Sequence, residues 1–429
     1  MNFYMESYLK MCICDSHRAM CKALRAWYHK LSTALHQLGF TVTASDVSVS
    51  TKFDANATTF VLVYVDDVII TRSSTSAMMA VVNQLNCKFA LKDMGDLHYF
   101  LGIQVSKTKG GGLLLSQEKY VTNLLGKVCM TGCKPCKTPL PSSLKISQFG
   151  GDRFDEPALY HSVVGSLQYL TITRPELAYV VSKLSQFMQD PLESHWKLVK
   201  RIPRYASGTI KYDLHLRKND SLNITAYCDS DWGGDPDDKK STGGMCVFLG
   251  RNLVSWSSKK QSLVARSSTE TEYRAMADLI AELIWIKNLL SELRVTASIP
   301  TIYCDNLSVV LLASNPILHS KSKHFEIDLH FVRDYVAKEV VKVSHVSGSV
   351  QLADILTKAI FFGMFDNARA RLNVETNLLC SATAEGVAGI VNEPAMPSNE
   401  GALQNGSKPK DFSSRVHDGV SVEQHNKIR

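Results

Sequence analysis

The chain has 429 residues, 45% of them hydrophobic and 21% charged, with a formal net charge of +7 and a pI near 8.7. Such a length predicts two or three domains with cores of their own, and the mild basicity permits a polyanionic partner without demanding one. No stretch approaches a membrane-spanning helix, the N-terminal MNFYMESYLKMCICDSHRAM lacks a signal peptide's apolar run, and eleven unpatterned cysteines read as reduced thiols, so a cytoplasmic chain without membrane association is expected.

Residues 22–40, KALRAWYHKLSTALHQLGF, form an amphipathic helix closed by Gly39. In the apolar run VLVYVDDVII, residues 61–70, a strand–turn–strand reading presents Asp66 and Asp67 at a hairpin end between buried arms. Adjacent carboxylates there are met either by water, as a solvated turn, or by a divalent cation. A helix is predicted from Ser76 to about Phe89. The segment DMGDLHYFLGIQVSKTKGGGLLLSQEKYVTNLL then reads as strand, glycine turn (Gly110, Gly111, Gly112), strand and helix. The proline- and serine-rich CKPCKTPLPSSLKISQFGGDRFDEP is a linker, and Cys129, Cys133 and Cys136 read as loop cysteines rather than a zinc site. Helical segments follow at about 157–186 and 194–207, with Pro203 inside the second, where it removes a helical hydrogen bond.

From Leu222 the texture changes. NITAYCDSDW alternates as a strand, and GGMCVFLGRNLVSWSSKK reads as two strands around a Gly-Arg-Asn turn. A long helix is predicted from about Thr269 to Leu293, then the strand TIYCDN, helical segments at 307–314 and 322–338, the strand VVKVSHV and a helix near 350–360. Antiparallel strands followed by strands alternating with helices imply a mixed sheet covered by helices, an α/β (α+β) class. Beyond about Val374 the chain turns polar and small without periodicity, and residues 375–429 are expected to form a disordered tail.

Within the long helix, Met276, Leu279, Leu283, Ile286 and Leu290 recur at steps of three and four and form one buried stripe. One turn back from Met276 lies Glu272, directed at the sheet, while Glu270 points to roughly the opposite side. A capping box of Thr269 and Glu272 is the competing explanation for that glutamate. Asp229 ends the first strand of this region, Asp305 ends TIYCDN and Asp354 opens the last helix. Neighbouring strand ends bring such side chains together, and a helix packed across the sheet adds Glu272. Four converging carboxylates repel one another unless divalent cations neutralise them, and hard oxygen ligands suit Mg²⁺. Two such ions serve in-line attack on a phosphodiester.

The blocks VLVYVDDVIIT, DMGDLHYFLGIQV, YHSVVGSLQYLTITRPELAYVVSKLSQFM, YCDSDWGGDPDDKKSTGGMCVFLG, VSWSSKKQSLVARSSTETEYRAMA and QLADILTK resemble the Pol polyprotein of Ty1/copia-type LTR retrotransposons, from about Arg25 to about Val374. The resemblance implies a partial reverse transcriptase palm over 1–145 and a thumb or connection segment over 146–220. A ribonuclease H domain with a mixed five-stranded sheet and flanking helices then spans 221–365, and a mostly disordered tail 366–429. By motif position, Asp229, Glu272, Asp305 and Asp354 correspond to the family's ribonuclease H metal ligands. Asp66 and Asp67 correspond to the YxDD pair, with Asp66 as the direct metal ligand. His345, in the strand-to-helix loop, corresponds to a histidine that assists product departure. The implied chemistry is cleavage of RNA in an RNA–DNA hybrid with two Mg²⁺ ions, Mn²⁺ substituting, and no small-molecule cofactor. The chain order Asp, Glu, Asp, Asp separates this from an integrase, whose order is Asp, Asp, Glu.

A polymerase of this family needs a further strand-borne aspartate upstream of the hairpin, and Asp15, Asp46 and Asp54 lack the right flanks, so polymerase activity is expected to be lost. Pro203 and RYASGT, where the family reads R-Y-L-K-G-T, point to relaxed constraint; a degenerate remnant that at most binds nucleic acid is the alternative. Lys239, Lys240, Arg251, Lys259, Lys260 and Arg266 are candidate phosphate contacts, and the alternative is a solvated charged face. Trp256 reads as core, the run DPDD (235–238) as a solvated turn, and His319, His324, Asp328 and His330 as helix packing and nucleic-acid contacts rather than a metal site.

Overall fold

The computed structural model describes residues 4–10, 17–55, 57–64, 67–72, 75–89, 91–142, 144–219, 221–315 and 325–376. All belong to the unit Met1–Leu379, and Cys380–Arg429 lies outside the described residues. In chain order the elements begin with β1 (Tyr4–Lys10), α1 (His17–Gln37), β2 (Thr41–Val42), β3 (Val49–Asp54), β4 (Ala57–Tyr64), β5 (Asp67–Arg72), α2 (Thr75–Asn86) and β6 (Lys92–Asp93). Next come β7 (Tyr99–Phe100), β8 (Ile103–Lys107), β9 (Leu113–Ser116), α3 (Glu118–Lys127), α4 (Pro157–Leu170), α5 (Ala178–Ser185), α6 (Glu193–Val199), α7 (Arg201–Gly208) and β10 (Tyr212–Leu216). The last part holds β11 (Ile224–Ser230), β12 (Thr242–Leu249), β13 (Asn252–Lys260), α8 (Ser268–Glu292), β14 (Thr301–Cys304), α9 (Leu307–Ser314), α10 (Glu326–Ala337) and β15 (Lys342–His345). It closes with a 3₁₀ turn at Leu352–Leu356, α11 (Phe362–Arg371) and β16 (Val374–Thr376).

Three sheets result. The first, ordered β2-β3-β4-β5-β1-β6, alternates along β4 and β5 so that Val61, Val63, Val68 and Ile70 meet α1 and α2 in one core. Strand β1, outside the sequence-based expectation, pairs antiparallel with β5 and makes the strand that carries Asp67 an internal one. The second sheet, β16-β10-β9-β8-β7, draws strands from distant parts of the chain. The third is the expected five-stranded mixed sheet, ordered β13-β12-β11-β14-β15, antiparallel through β13, β12 and β11 and parallel through β11, β14 and β15. The stripe on α8 covers one face of it: Tyr273, Met276, Leu279, Ile280 and Leu283 pack against Ile224, Ala226, Val247 and Ile302.

The opposite face of that sheet is covered by the segment read as thumb or connection. One core cluster runs from Val121 through α4, α5 and α7 to Cys246, Leu253, Leu356 and Leu372. The proline-rich linker contributes Leu140, Ile146 and Phe154 to it, so it is a packed strap rather than a loose tether. Ordered structure also passes position 366: α11 spans it, and β16 pairs antiparallel with β10. Residues 377–429, the rest of the expected tail, lie outside the described residues.

Two local expectations need correction. Pro203 removes no helical hydrogen bond, because the predicted helix is two: α6 ends at Val199, and Pro203 is the third residue of α7, inside the first turn whose N–H groups have no intrahelical partner. The run DPDD is not a solvated turn. Asp235 is buried, 2.7 Å from Lys183 on α5 and 2.8 Å from Lys260 on β13, and Asp237 accepts from the Gln148 backbone N–H at 2.7 Å. Burial alone would raise the Asp235 pKa, but hydrogen bonds from Lys183 and Lys260 more than offset it and hold the carboxyl well below the usual carboxylate range.

Glycine at position 244 is required by close approach. It sits opposite Asp229 in the ladder, and a Cβ there would stand 2.6 Å from Thr357 Cγ2 and 2.8 Å from Leu356 Cβ. Gly244→Ala is therefore expected to destabilise the protein by about 1–3 kcal/mol through overpacking, read as a lower thermal midpoint. Lys183→Met leaves Asp235 with a single cation and is expected to cost about 3–5 kcal/mol in urea denaturation at neutral pH. A depressed folded pKa means that the Asp235 contribution is complete above the unfolded value of about 3.9 and is lost as pH falls through the lower folded value, so the deficit of the variant should shrink below that range.

Candidate active site

Register brings the first two carboxylates together. Strands β11 and β14 are parallel with Tyr227 opposite Tyr303, so two residues further along Asp229 and Asp305 emerge side by side. The 3₁₀ turn Leu352–Leu356 lies against β11 and β12 through the gap left by Gly244 and adds Asp354. Potential ligand oxygens of Asp229, Asp305 and Asp354 all lie within 4.8 Å of one another. A second set, Glu272, Cys304 and Asp305, meets the same criterion, so Asp305 is common to both. All four sequence-predicted carboxylates are thus gathered at one sheet edge.

Helix α8 supplies Glu272 without spending it on a cap. The N-cap is Ser267, whose Oγ accepts from the Glu270 N–H at 3.2 Å, while Glu270 turns back to the Arg266 N–H at 2.8 Å. Glu270, expected on the far side, is buried there against Arg274 at 2.7 Å. Glu272 is left free for the sheet edge, where Asn306 Nδ2 donates to it at 3.1 Å. Burial, with Asp305 and Asp229 nearby, pushes its pKa up to about 7. Burial and the neighbouring Asp229 push Asp354 up to about 7 as well. These are carboxylates that resist ionising together.

Several partners escaped the sequence reading. Thr357 Oγ1 donates to Asp229, and Lys358 Nζ lies 2.9 Å from Asp354 and 3.6 Å from Asp229. Gln351 Nε2 donates to the Cys228 carbonyl at 2.9 Å and to Asp305 at 3.4 Å, while its Oε1 accepts from the Ala353 N–H at 3.2 Å. Asn306 was findable: an asparagine directly before LSVVLLA is an N-cap signal, and its side chain accepts from the Ser308 and Val309 N–H groups. No spacing rule announces Gln351.

His345 is the last residue of β15, paired with Cys304, rather than part of the following loop; it is exposed, with Nε2 3.2 Å from the Asp305 carbonyl. In the first sheet, Asp67 opens β5, is buried, and has an Oδ1 with no hydrogen-bond partner. Asp66 lies outside the described residues, and among those described no set of three potential metal ligands includes Asp67. His319 and His324 also lie outside them; Asp328 is 3.9 Å from Arg274, and His330 is 3.9 Å from Glu326. Of the candidate phosphate contacts, Lys260 is held by Asp235 and by Asp238 at 3.0 Å, and Lys240 by Asp238 at 3.3 Å. Lys259 lines an open groove with Gln261, Arg274 and Asp278. Trp256 packs against the shared core as expected, donating to the Thr171 carbonyl at 3.2 Å.

The reverse transcriptase (RNA-dependent DNA polymerase) family matches residues 10–142. The retrovirus-related Pol polyprotein from transposon RE2 of Arabidopsis thaliana is 43% identical over 354 residues, 82% of this chain and 24% of that protein. The corresponding polyprotein from transposon TNT 1-94 of Nicotiana tabacum is 33% identical over 367 residues, 83% of this chain and 27% of that protein. An uncharacterized mitochondrial protein of Arabidopsis thaliana is 47% identical over 226 residues, 53% of this chain and 93% of that protein. Among solved structures, a foamy viral protease–reverse transcriptase in complex with RNA/DNA hybrid is 12% identical with a TM-score of 0.41, covering 67% of this chain and 36% of that one. This chain therefore spans about a quarter of the length of the Pol relatives it matches. The chain belongs to the Ty1/copia-type retrotransposon Pol polyprotein family.

Proposed function

We propose that this chain hydrolyses RNA in RNA–DNA hybrids with the help of Mg²⁺, at the edge of the five-stranded sheet. The observation that carries this reading is the meeting of Asp229 from β11, Glu272 from α8 and Asp354 from the 3₁₀ turn around Asp305, the residue just after β14. The donor set fits a hard divalent cation: four carboxylates, two of them with pKa values raised to about 7 by burial and mutual repulsion, gain most from a nearby double positive charge. Asp229, Asp305 and Asp354 would hold one ion, and Asp305 with Glu272 a second; Mn²⁺ is expected to substitute. Such ions supply activation of water and charge neutralisation at the departing 3′ oxygen.

The protein's own part is to hold these oxygens still. Thr357 fixes Asp229, Asn306 fixes Glu272, and Gln351 ties Asp305 to β11 and to the 3₁₀ turn. His345, exposed beside the Asp305 backbone, would assist departure of the product. Contacts to the 2′-hydroxyls of the RNA strand would confine cleavage to the hybrid.

Incubation with a labelled RNA–DNA hybrid tests this reading. Cleavage should require Mg²⁺, stop with chelator, and fall by on the order of 10²–10³-fold in Asp229→Asn or Glu272→Gln. His345→Ala is expected to slow turnover by roughly 10–100-fold while leaving Mg²⁺ binding unchanged. No cleavage by the unmodified chain would leave a remnant that at most binds nucleic acid. For polymerisation the reading is negative: of the aspartates upstream of the hairpin, Asp15, Asp46 and Asp54, none has the flanking pattern of the further ligand that the family's polymerase needs. Primer extension on an RNA template with Mg²⁺ should therefore give no product with the 429-residue chain alone, and robust product would overturn this.

A further inference from the structure

Four carboxylates meet at the sheet edge, and among the described residues one basic side chain is paired with any of them: Lys358, with Nζ 2.9 Å from Asp354 Oδ1 and 3.6 Å from Asp229 Oδ2. Its position is built rather than incidental. The Lys358 N–H donates to the Asp354 carbonyl at 3.0 Å and the preceding Thr357 N–H to the same carbonyl at 3.2 Å, so the end of the 3₁₀ turn aims two consecutive side chains at Asp229. Thr357 is fully buried, whereas the Lys358 side chain is 46% exposed. The oxygens it holds belong to two of the three aspartates that together offer a place for a cation.

We infer that Lys358 is a resident counter-ion that divalent cations must displace, a positioning residue that sets how much metal the site requires. The inference rests on the metal-dependent reading above. A single ammonium tethered to the turn carries one charge where a divalent cation carries two, so it loses the competition at sufficient metal concentration but raises that concentration. Without metal it holds Asp229 and Asp354 together against their repulsion. Being half-exposed, the displaced side chain has solvent to move into.

Thermal unfolding of the full chain, with chelator and across a Mg²⁺ titration, tests the inference independently of cleavage. Lys358→Met should unfold at a lower temperature than wild type with chelator, and the gap should close as Mg²⁺ is added. The Mg²⁺ concentration giving half the thermal shift should fall about tenfold, in keeping with the loss of one half-exposed cation beside two ligands. Lys358→Arg should behave as wild type, and Lys358→Gln carries the same expectation as Met should the latter not fold. An equal deficit with and without Mg²⁺, or an unchanged half-saturating concentration, would overturn the assignment and leave Lys358 a structural or substrate contact. If wild type shows no Mg²⁺ shift, or the shift persists in Asp229→Asn, the metal reading itself falls and this inference with it.

Discussion

Parallel pairing between β11 and β14 places two negative charges side by side at the strand ends, and that repulsion governs everything nearby. A carboxylate pair with oxygens within 4.8 Å of each other is tolerable only with compensating donors or cations. The surrounding residues read as responses to it. Thr357, Lys358, Asn306 and Gln351 each direct a donor at one of the four carboxylates, and they arrive from two short segments that begin where strands end. The close approach that seats the 3₁₀ turn depends in turn on the absence of a side chain at Gly244, directly across the ladder from Asp229.

That turn is also where the two halves of the hydrophobic interior meet. Leu352, Ile355 and Leu356 belong to the same cluster as α4, α5 and α7, so the element carrying Asp354 is packed by the preceding segment rather than by the five-stranded sheet alone. The buried Lys183–Asp235 pair crosses the same boundary. A division at residue 220 follows the chain but cuts through one core. The five-stranded sheet borrows one of its two coverings from residues that precede it in the chain and whose sequence reads as another domain.

What was legible in the sequence divides along physical lines. Periodicity and punctuation gave the five-stranded sheet, the buried stripe of α8 and the sheet-edge position of Glu272, because each is a local pattern with one compact solution. Alternatives stayed open where two local rules compete, and the errors came where the partner is remote. At the start of α8 both Ser267 with Glu270 and Thr269 with Glu272 satisfy a capping pattern, and only the fold chooses the first. The run DPDD is polar and turn-forming, so solvation suffices locally; the lysine that buries Asp235 is more than fifty residues upstream, on α5. Pro203 signals a break, and the break is real, but it lies three residues earlier, at Lys200.

Helix α8 connects the carboxylate site to the first sheet. At one end it offers Glu272; at the other, Glu292 accepts from the Ala44 and Ser45 N–H groups at 2.6 and 3.1 Å and from Ser45 Oγ at 2.5 Å. These hydrogen bonds, led by the Ser45 hydroxyl, hold the Glu292 pKa below its usual value. Trp285 Nε1 donates to the Ser45 carbonyl at 2.9 Å, and the Arg294 guanidinium lies 3.9 Å from the centre of the Phe53 ring. A 25-residue helix spans about 37 Å, so one rigid element reaches from the carboxylates to the loop before β3. These contacts are exposed and individually weak, which lets solvent compete for them. The deep packing of the same helix on β11 and β12 is not open to that competition. The position of Glu272 is therefore set by the sheet it covers, and the contact with the first sheet follows from where that packing sends the far end of the helix.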